Sequence, residues 1–224
     1  MGFQHAKGKW LLFADADDFF ITENFTQLIN YYKDDTHTDI VYLNAFSSDN
    51  ETFVQSSIQP NIKKWLENDK FTKDELLEKL KFKTWEPWTR MIKHHIIKSN
   101  NLKFDEIPRQ NDITFGITVS IYSKIYAIET MPIYCWVHNN NSISKRKINE
   151  ESFIDLLTIQ IGLNDLYKLK GIKRRECILY YIYRSYREFN LKFTIKKCIP
   201  ILLKKRINPF TGLYTYLKEY QPIQ

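Results

Sequence analysis

A chain of 224 residues has the length for one domain with a helical appendage, and its 43% apolar residues can build a core, which excludes wholesale disorder. Three cysteines, Cys135, Cys177 and Cys198, are odd in number and far apart, excluding a disulfide framework and a CxxC metal knuckle and favouring a reducing, cytoplasmic setting. The net charge of +7 is concentrated, because between Lys170 and Arg206 twelve Lys and Arg stand against only Glu176 and Glu188, leaving the rest of the chain net acidic.

In chain order, Trp10-Leu11-Leu12-Phe13-Ala14 is a continuous apolar run ending in acids, which predicts a central parallel strand buried on both faces. Thr22 is placed to cap a helix whose Phe25, Leu28, Ile29 and Tyr32 recur at i, i+3, i+4 and i+7. A second strand is predicted from Asp39 to Phe46, so strand, acidic loop, helix and strand follow one another in α/β order. Thr72 and Glu75 have capping-box spacing, and Leu76, Leu77 and Leu80 give the helix behind them an apolar face. The turn Thr84-Trp85-Glu86-Pro87-Trp88 leads to a short helix predicted near Ile92 to Ile97, and another helix is expected from about Asp112 to Tyr122. Two strands are predicted next, Lys124 to Thr130 and Pro132 to His138. From Glu150 onward the patterns are helical, with breaks expected near Gly171, Asn190 and Pro209. The expected division is therefore an α/β domain over residues 1–148 and a basic helical extension over 149–224.

The acidic cluster Asp15-Ala16-Asp17-Asp18 follows the first apolar run, and open α/β sheets bind ligands outside the carboxyl ends of their strands. Two carboxylates one residue apart at such a bend can offer oxygens to one hard divalent cation, Mg²⁺ or Mn²⁺, that also takes oxygens from a diphosphate. Alone the pattern is weak, since acids after a strand commonly just solvate a loop or precede a helix.

Its context is more specific. The stretch from Gly2 through Ala6-Lys7-Gly8-Lys9 to Asp15-Ala16-Asp17-Asp18 resembles the segment of family 2 glycosyltransferases in which an Ala-x-Gly-Lys turn precedes an apolar strand ending in D-x-D-D. Pro87-Trp88-Thr89-Arg90, then Asn101-Leu102-Lys103-Phe104, then Asn111-Asp112 resemble the family's Pro-Trp run, its Asn-x-x-Phe turn and the acidic pair opening a helix. Tyr134 to Ser144 is similar to its strand and Ser-Ile-Ser loop, although Val137 and His138 stand where basic residues are usual.

The resemblance implies a partial GT-A, Rossmann-like sheet followed by helices, and transfer of a sugar, with inversion, from a nucleotide-sugar donor to a glycan or lipid-linked acceptor in cell-surface polysaccharide synthesis. It implies Asp15, Asp17 and Asp18 as ligands of Mn²⁺ or Mg²⁺, and Asp15, Asp17 and His138 as contacts of the donor diphosphate. Asp112 is the implied general base, placed to accept the acceptor hydroxyl's proton opposite the leaving diphosphate, although an N-cap is the plain alternative for an Asp at a helix start. Trp88, Asn111 and Trp136 are the implied acceptor contacts, with core packing the plain alternative for either tryptophan. Family members begin with βα units upstream of this point that grip the nucleotide base, so the chain is expected to lack them and to need them for activity.

Two other readings compete. A truncated, inactive transferase would act only as a membrane- or partner-binding module. A haloacid-dehalogenase-like phosphatase also opens on a strand ending in Asp-x-Asp, but wants Thr or Val where Phe19 stands. The basic tail, interleaved with Ile, Leu, Tyr and Phe, suits helices resting on an anionic inner membrane face, without nucleic acid as a partner.

Overall fold

The computed structural model describes residues 5–49, 54–138 and 146–219. They divide between two compact units, those within 1–105 and 111–146 in one and those within 106–110 and 147–224 in the other.

The first unit is built on a mixed sheet. Its strands are β1 (Trp10–Leu12), β2 (Phe19–Phe20), β3 (Ile40–Asp49), β4 (Arg90–Lys93) and β5 (Tyr126–His138), in the order β1-β4-β3-β5-β2. Only β3 and β5 are parallel; the other neighbours are antiparallel. The helices are α1 (Thr22–Tyr32), α2 (Asn61–Leu66), α3 (Lys73–Phe82), α4 (His94–Ser99) and α5 (Ile113–Tyr122).

The strand buried on both faces is β3. Its Val41, Tyr42, Leu43 and Ala45 are fully inaccessible, and alternate residues feed two separate cores. Val41 and Leu43 pack with Met91, Ile133, and Leu28 and Tyr32 of α1, whereas Ile40 and Tyr42 pack with Ile92, Leu80, Phe115 and Tyr134 on the opposite face. The expectation of a central parallel strand at Trp10 is corrected: β1 is at the sheet edge, antiparallel to β4, with Leu11 its buried residue. The apolar look of Trp10 has another cause, since its indole donates to the Tyr32 carbonyl at 2.9 Å and the Lys93 ammonium sits 4.4 Å from its ring centre.

Three further expectations change in detail. Thr22 is the first residue of α1 and not its cap, because the Phe25 amide bonds to the carbonyl of Ile21. Arg90–Lys93 is a wholly buried strand between β1 and β3, so the helix expected from Ile92 begins at His94. The two strands expected on either side of Met131 and Pro132 are one, with a bulge where Asn44 donates to the Thr130 carbonyl at 2.6 Å. Proline fits there because a bulge needs no ladder donor. The capping box of α3 is as expected, Thr72 accepting from the Glu75 amide and Glu75 from the Thr72 amide.

The second unit holds α6 (Glu150–Leu169), α7 (Ile178–Glu188), α8 (Leu191–Phe193), a π-helical turn (Thr194–Cys198), α9 (Ile199–Lys205) and α10 (Leu213–Glu219). Gly171 and Gly212, with φ of +67° and +80°, and Arg206, at +53°, turn the chain between helices. Among the described residues no helix is long and apolar enough to cross a membrane.

Candidate active site

The acidic loop links β1 to β2, which are the two opposite edges of the sheet, so residues 13–18 must cross it. They cross on the face covered by α5. Phe13 sets its ring edge-on to Phe115 of α5 and to Phe104, both at 5.6 Å between centres, which pins the start of the loop beside the helix that Asp112 opens. The other end is fixed by β5. The Tyr134 hydroxyl accepts from the Asp15 amide at 2.9 Å and donates to Asp18 Oδ2 at 2.7 Å, while the Val137 amide donates to Asp18 Oδ1 at 2.8 Å. Each carboxylate oxygen of Asp18 therefore already has a protein donor.

Among the described residues the side chains of Asp15 and Asp17 carry no such ties, and Asp15 feels the charge of Asp112. Burial raises the Asp15 carboxyl above the usual carboxylate range, and the charges of Asp17 and then Asp112 raise it further. Asp18 is also raised, chiefly by burial, against the opposing hydrogen bonds from Val137 and Tyr134. Asp112 is raised by burial, an effect partly offset by its own backbone amide and by the Arg90 guanidinium. It occupies the cap position of α5, yet its side chain makes no cap hydrogen bond. The carboxylate is therefore not engaged in capping the helix.

The segment between α3 and β4 ties these parts together. Gly116 in α5 lies so close to Trp85 that an added Cβ would come within 2.8 Å of the Trp85 Cα and nearer still to its carbonyl oxygen. Arg90, fully inaccessible, donates to the carbonyls of Gly116 and Thr84 and to Ser120 Oγ, the last at 3.2 Å. Trp88 stacks on Tyr134 with ring centres 5.1 Å apart and planes 11° from parallel. One short stretch thus braces both α5, behind Asp112, and the phenol that holds the acidic loop.

Among the other expected site residues, Trp88 is only 8% exposed, so its ring supports the site from behind instead of facing an acceptor. Trp136 and His138 alternate with Tyr134 along β5 and share its face, the two rings meeting edge to face at 5.5 Å. Trp136 is half-buried, and Asn111 is exposed beside Asp112, its carbonyl accepting from the Asp105 amide at 3.0 Å. The Ser142-Ile143-Ser144 part of the expected loop lies outside the described residues.

Sequence reading missed Glu86, Arg90 and Tyr134. Burial raises the Glu86 carboxyl, with Arg90 opposing and Asp112 reinforcing, and burial lowers the Arg90 guanidinium, so these groups form one buried charge cluster behind Asp112. A Glu and an Arg framing a Pro-Trp pair were the available signal; the role of Tyr134, 116 residues from Asp18, left none.

Among the described residues no three His, Cys, Asp or Glu side chains converge into a protein-only metal cage. A pair of carboxylates suits the other mode of binding Mg²⁺ or Mn²⁺, with one or two protein oxygens and the rest from substrate phosphates.

Residues 1–99 match the family model described as glycosyl transferase family 2. No curated protein matches the chain by sequence. Among solved structures, S. aureus TarS 1–349 in complex with UDP-GlcNAc is similar at 14% identity and TM-score 0.53, covering 87% of this chain and 54% of that one. S. aureus TarS 1–349 alone gives 15% identity and TM-score 0.48 over 71% of this chain and 42% of that one. The chain spans about half the length of the solved TarS structures it matches, and at such identity the likeness is one of fold. The acidic loop and the bracing segment at Trp85–Arg90 both fall inside the matched residues, so this part of the chain is similar to glycosyl transferase family 2 and lies in a partial GT-A-type α/β fold followed by helices.

Proposed function

We propose that the first unit supplies the diphosphate-binding and acceptor side of an enzyme that transfers a sugar from a nucleotide-sugar donor to a hydroxyl of a glycan or lipid-linked acceptor, with inversion, in the synthesis of a cell-surface polysaccharide. The observation that carries this reading is the Asp15 carboxyl, raised by burial and then further by the charges of Asp17 and Asp112. Carboxylates so arranged favour a cation among them, and Asp15 and Asp17 are the two whose side chains the loop does not use. A divalent cation held there supplies positive charge to the diphosphate as it leaves.

The chain's own residues then divide the work. Asp18 and Tyr134 hold the loop in shape. Asp112 takes the proton from the acceptor hydroxyl while that oxygen bonds to the anomeric carbon and the bond from that carbon to the diphosphate oxygen breaks. Its raised pKa makes it a better proton acceptor than an ordinary aspartate, provided it is ionised when the acceptor arrives. His138 and Trp136, on the Tyr134 face, border the space where donor and acceptor meet.

UDP-GlcNAc, present in the solved TarS complex, is the first donor to try. Calorimetry should show Mn²⁺-dependent binding of this donor that Asp17→Ala abolishes. Binding that persists unchanged in the variant removes Asp17 from the metal site, and binding without Mn²⁺ removes the cation from the reading.

A further inference from the structure

The chain from Leu191 to Lys205 runs as α8, the π-helical turn and α9 without interruption. One side of this rod is anchored, since Phe193, Thr194, Cys198 and Leu202 are buried and Thr194 Oγ1 lies 2.9 Å from Ser185 Oγ of α7. The opposite side is open. Leu191, Ile195 and Leu203 are 59%, 55% and 72% exposed, and Lys192, Lys196 and Lys204 beside them are exposed too.

The π-turn explains why these residues line up. In an α-helix a step of four residues overshoots one turn by about 40°, so a four-residue repeat spirals off the face within three steps. The i→i+5 bonds of the π-turn widen the winding and absorb that drift. The positions 191, 195, 199 and 203 then form one straight aliphatic stripe, Leu-Ile-Ile-Leu, and Lys192, Lys196 and Lys204 form a basic stripe alongside it. Lys197, Lys205 and Arg206 add charge, and from Phe189 through Lys218 the sequence has no Asp or Glu.

We propose that this face rests on an anionic lipid surface, with the aliphatic stripe entering the headgroup layer and the lysines above it pairing with lipid phosphates. This inference stands apart from the transferase reading, since it uses other residues. A merely solvated helix mixes charge signs and does not expose three aliphatics in line. Nucleic acid would call for stacking rings along the stripe, where Leu and Ile stand. A groove on a partner protein would cover the aliphatics, but an acid-free run rich in lysine, whose ammonium is a point charge without fixed geometry, suits a fluid sheet of phosphates better than one shaped partner. With no membrane-crossing helix among the described residues, the contact is peripheral.

Vesicle flotation of the full chain tests it, with phosphatidylcholine alone against phosphatidylcholine and phosphatidylglycerol at about two to one. Binding is expected to the anionic vesicles only, and to be lost at high salt. Lys192→Glu/Lys196→Glu/Lys204→Glu should weaken partitioning by more than about a hundredfold, since each basic side chain near the surface contributes roughly fivefold. Ile195→Ser/Leu203→Ser should weaken it at unchanged charge. Lys98→Glu/Lys103→Glu/Lys124→Glu, with the same change in net charge on exposed sites of the first unit, should keep it. Circular dichroism confirms that each variant is folded. No preference for anionic vesicles, or an equal loss in both charge-reversed variants, overturns the proposal, and the first of these is also what an acidic protein partner would give.

Discussion

Tyr134 and Asp18 are 116 residues apart and joined by a 2.7 Å hydrogen bond from phenol to carboxylate, and the same phenol oxygen accepts the Asp15 amide at 2.9 Å. One hydroxyl therefore fixes both ends of the turn that presents Asp17. The phenol's own pKa is driven far up, chiefly by burial, so it remains a donor at any working pH.

Removing that oxygen tests the arrangement. Tyr134→Phe keeps the stack on Trp88 but strands the Asp15 amide and one oxygen of Asp18. The loss of a buried partner costs about 1–3 kcal/mol, which should appear as a lower Tm. Groups that orient metal ligands typically matter by about 10- to 100-fold in metal affinity, so Mn²⁺ binding in the presence of donor should weaken by that order. A variant with unchanged Mn²⁺ affinity would show that the loop keeps its shape without the phenol.

Gly116→Ala sets two effects against each other. Alanine favours a helix interior over glycine by about 1 kcal/mol. The new methyl, however, would overlap the Trp85 backbone, which cannot rotate away as a side chain can, and overpacking of this kind costs about 1–3 kcal/mol. The overlap should win, lowering Tm and shifting α5 with Asp112 at its start, so that turnover falls more than stability does. A higher Tm with full turnover would mean that the segment yields and does not position Asp112.

Thr72→Ala should cost about 1 kcal/mol by removing the cap of α3, with turnover unchanged because α3 holds none of Asp15, Asp17, Asp18 and Asp112. This feature was legible because a capping box is written within four consecutive residues. The apolar spacing of α1 was legible for the same reason, its period being local. What the sequence concealed depends on pairing between distant segments. Arg90–Lys93 has the composition of a helix start, and only the strands on either side make it β4. Trp10-Leu11-Leu12 has the apolar look of a central strand, yet Tyr32 and Lys93 cover its tryptophan. In the site, the acidic loop was legible as a motif, but its Asp18 turned out to hold the loop through Tyr134, a division of labour among adjacent acids that no spacing encodes.

Asp112→Asn should move stability and turnover in opposite directions. Burial is the main reason the Asp112 carboxyl is raised, and Arg90 opposes it only in part. The folded protein thus binds this proton more tightly than the unfolded chain, so ionisation of Asp112 costs stability, fully above the folded pKa and not at all below the unfolded one. Asparagine never ionises. The variant should therefore melt higher than the parent at neutral pH, and the gap should close as pH falls through the folded pKa. Turnover should move the other way. If Asp112 accepts the acceptor's proton, its loss costs about 10²–10⁴ in rate, while donor binding through Asp15 and Asp17 stays nearly intact. Differential scanning fluorimetry across pH, donor calorimetry and product formation separate these outcomes. A lower neutral-pH Tm in the variant would show that the attraction of Arg90 outweighs burial, and full turnover would move the base to another residue. A variant that is more stable, binds donor and does not turn over is the combination that a destabilised fold cannot imitate.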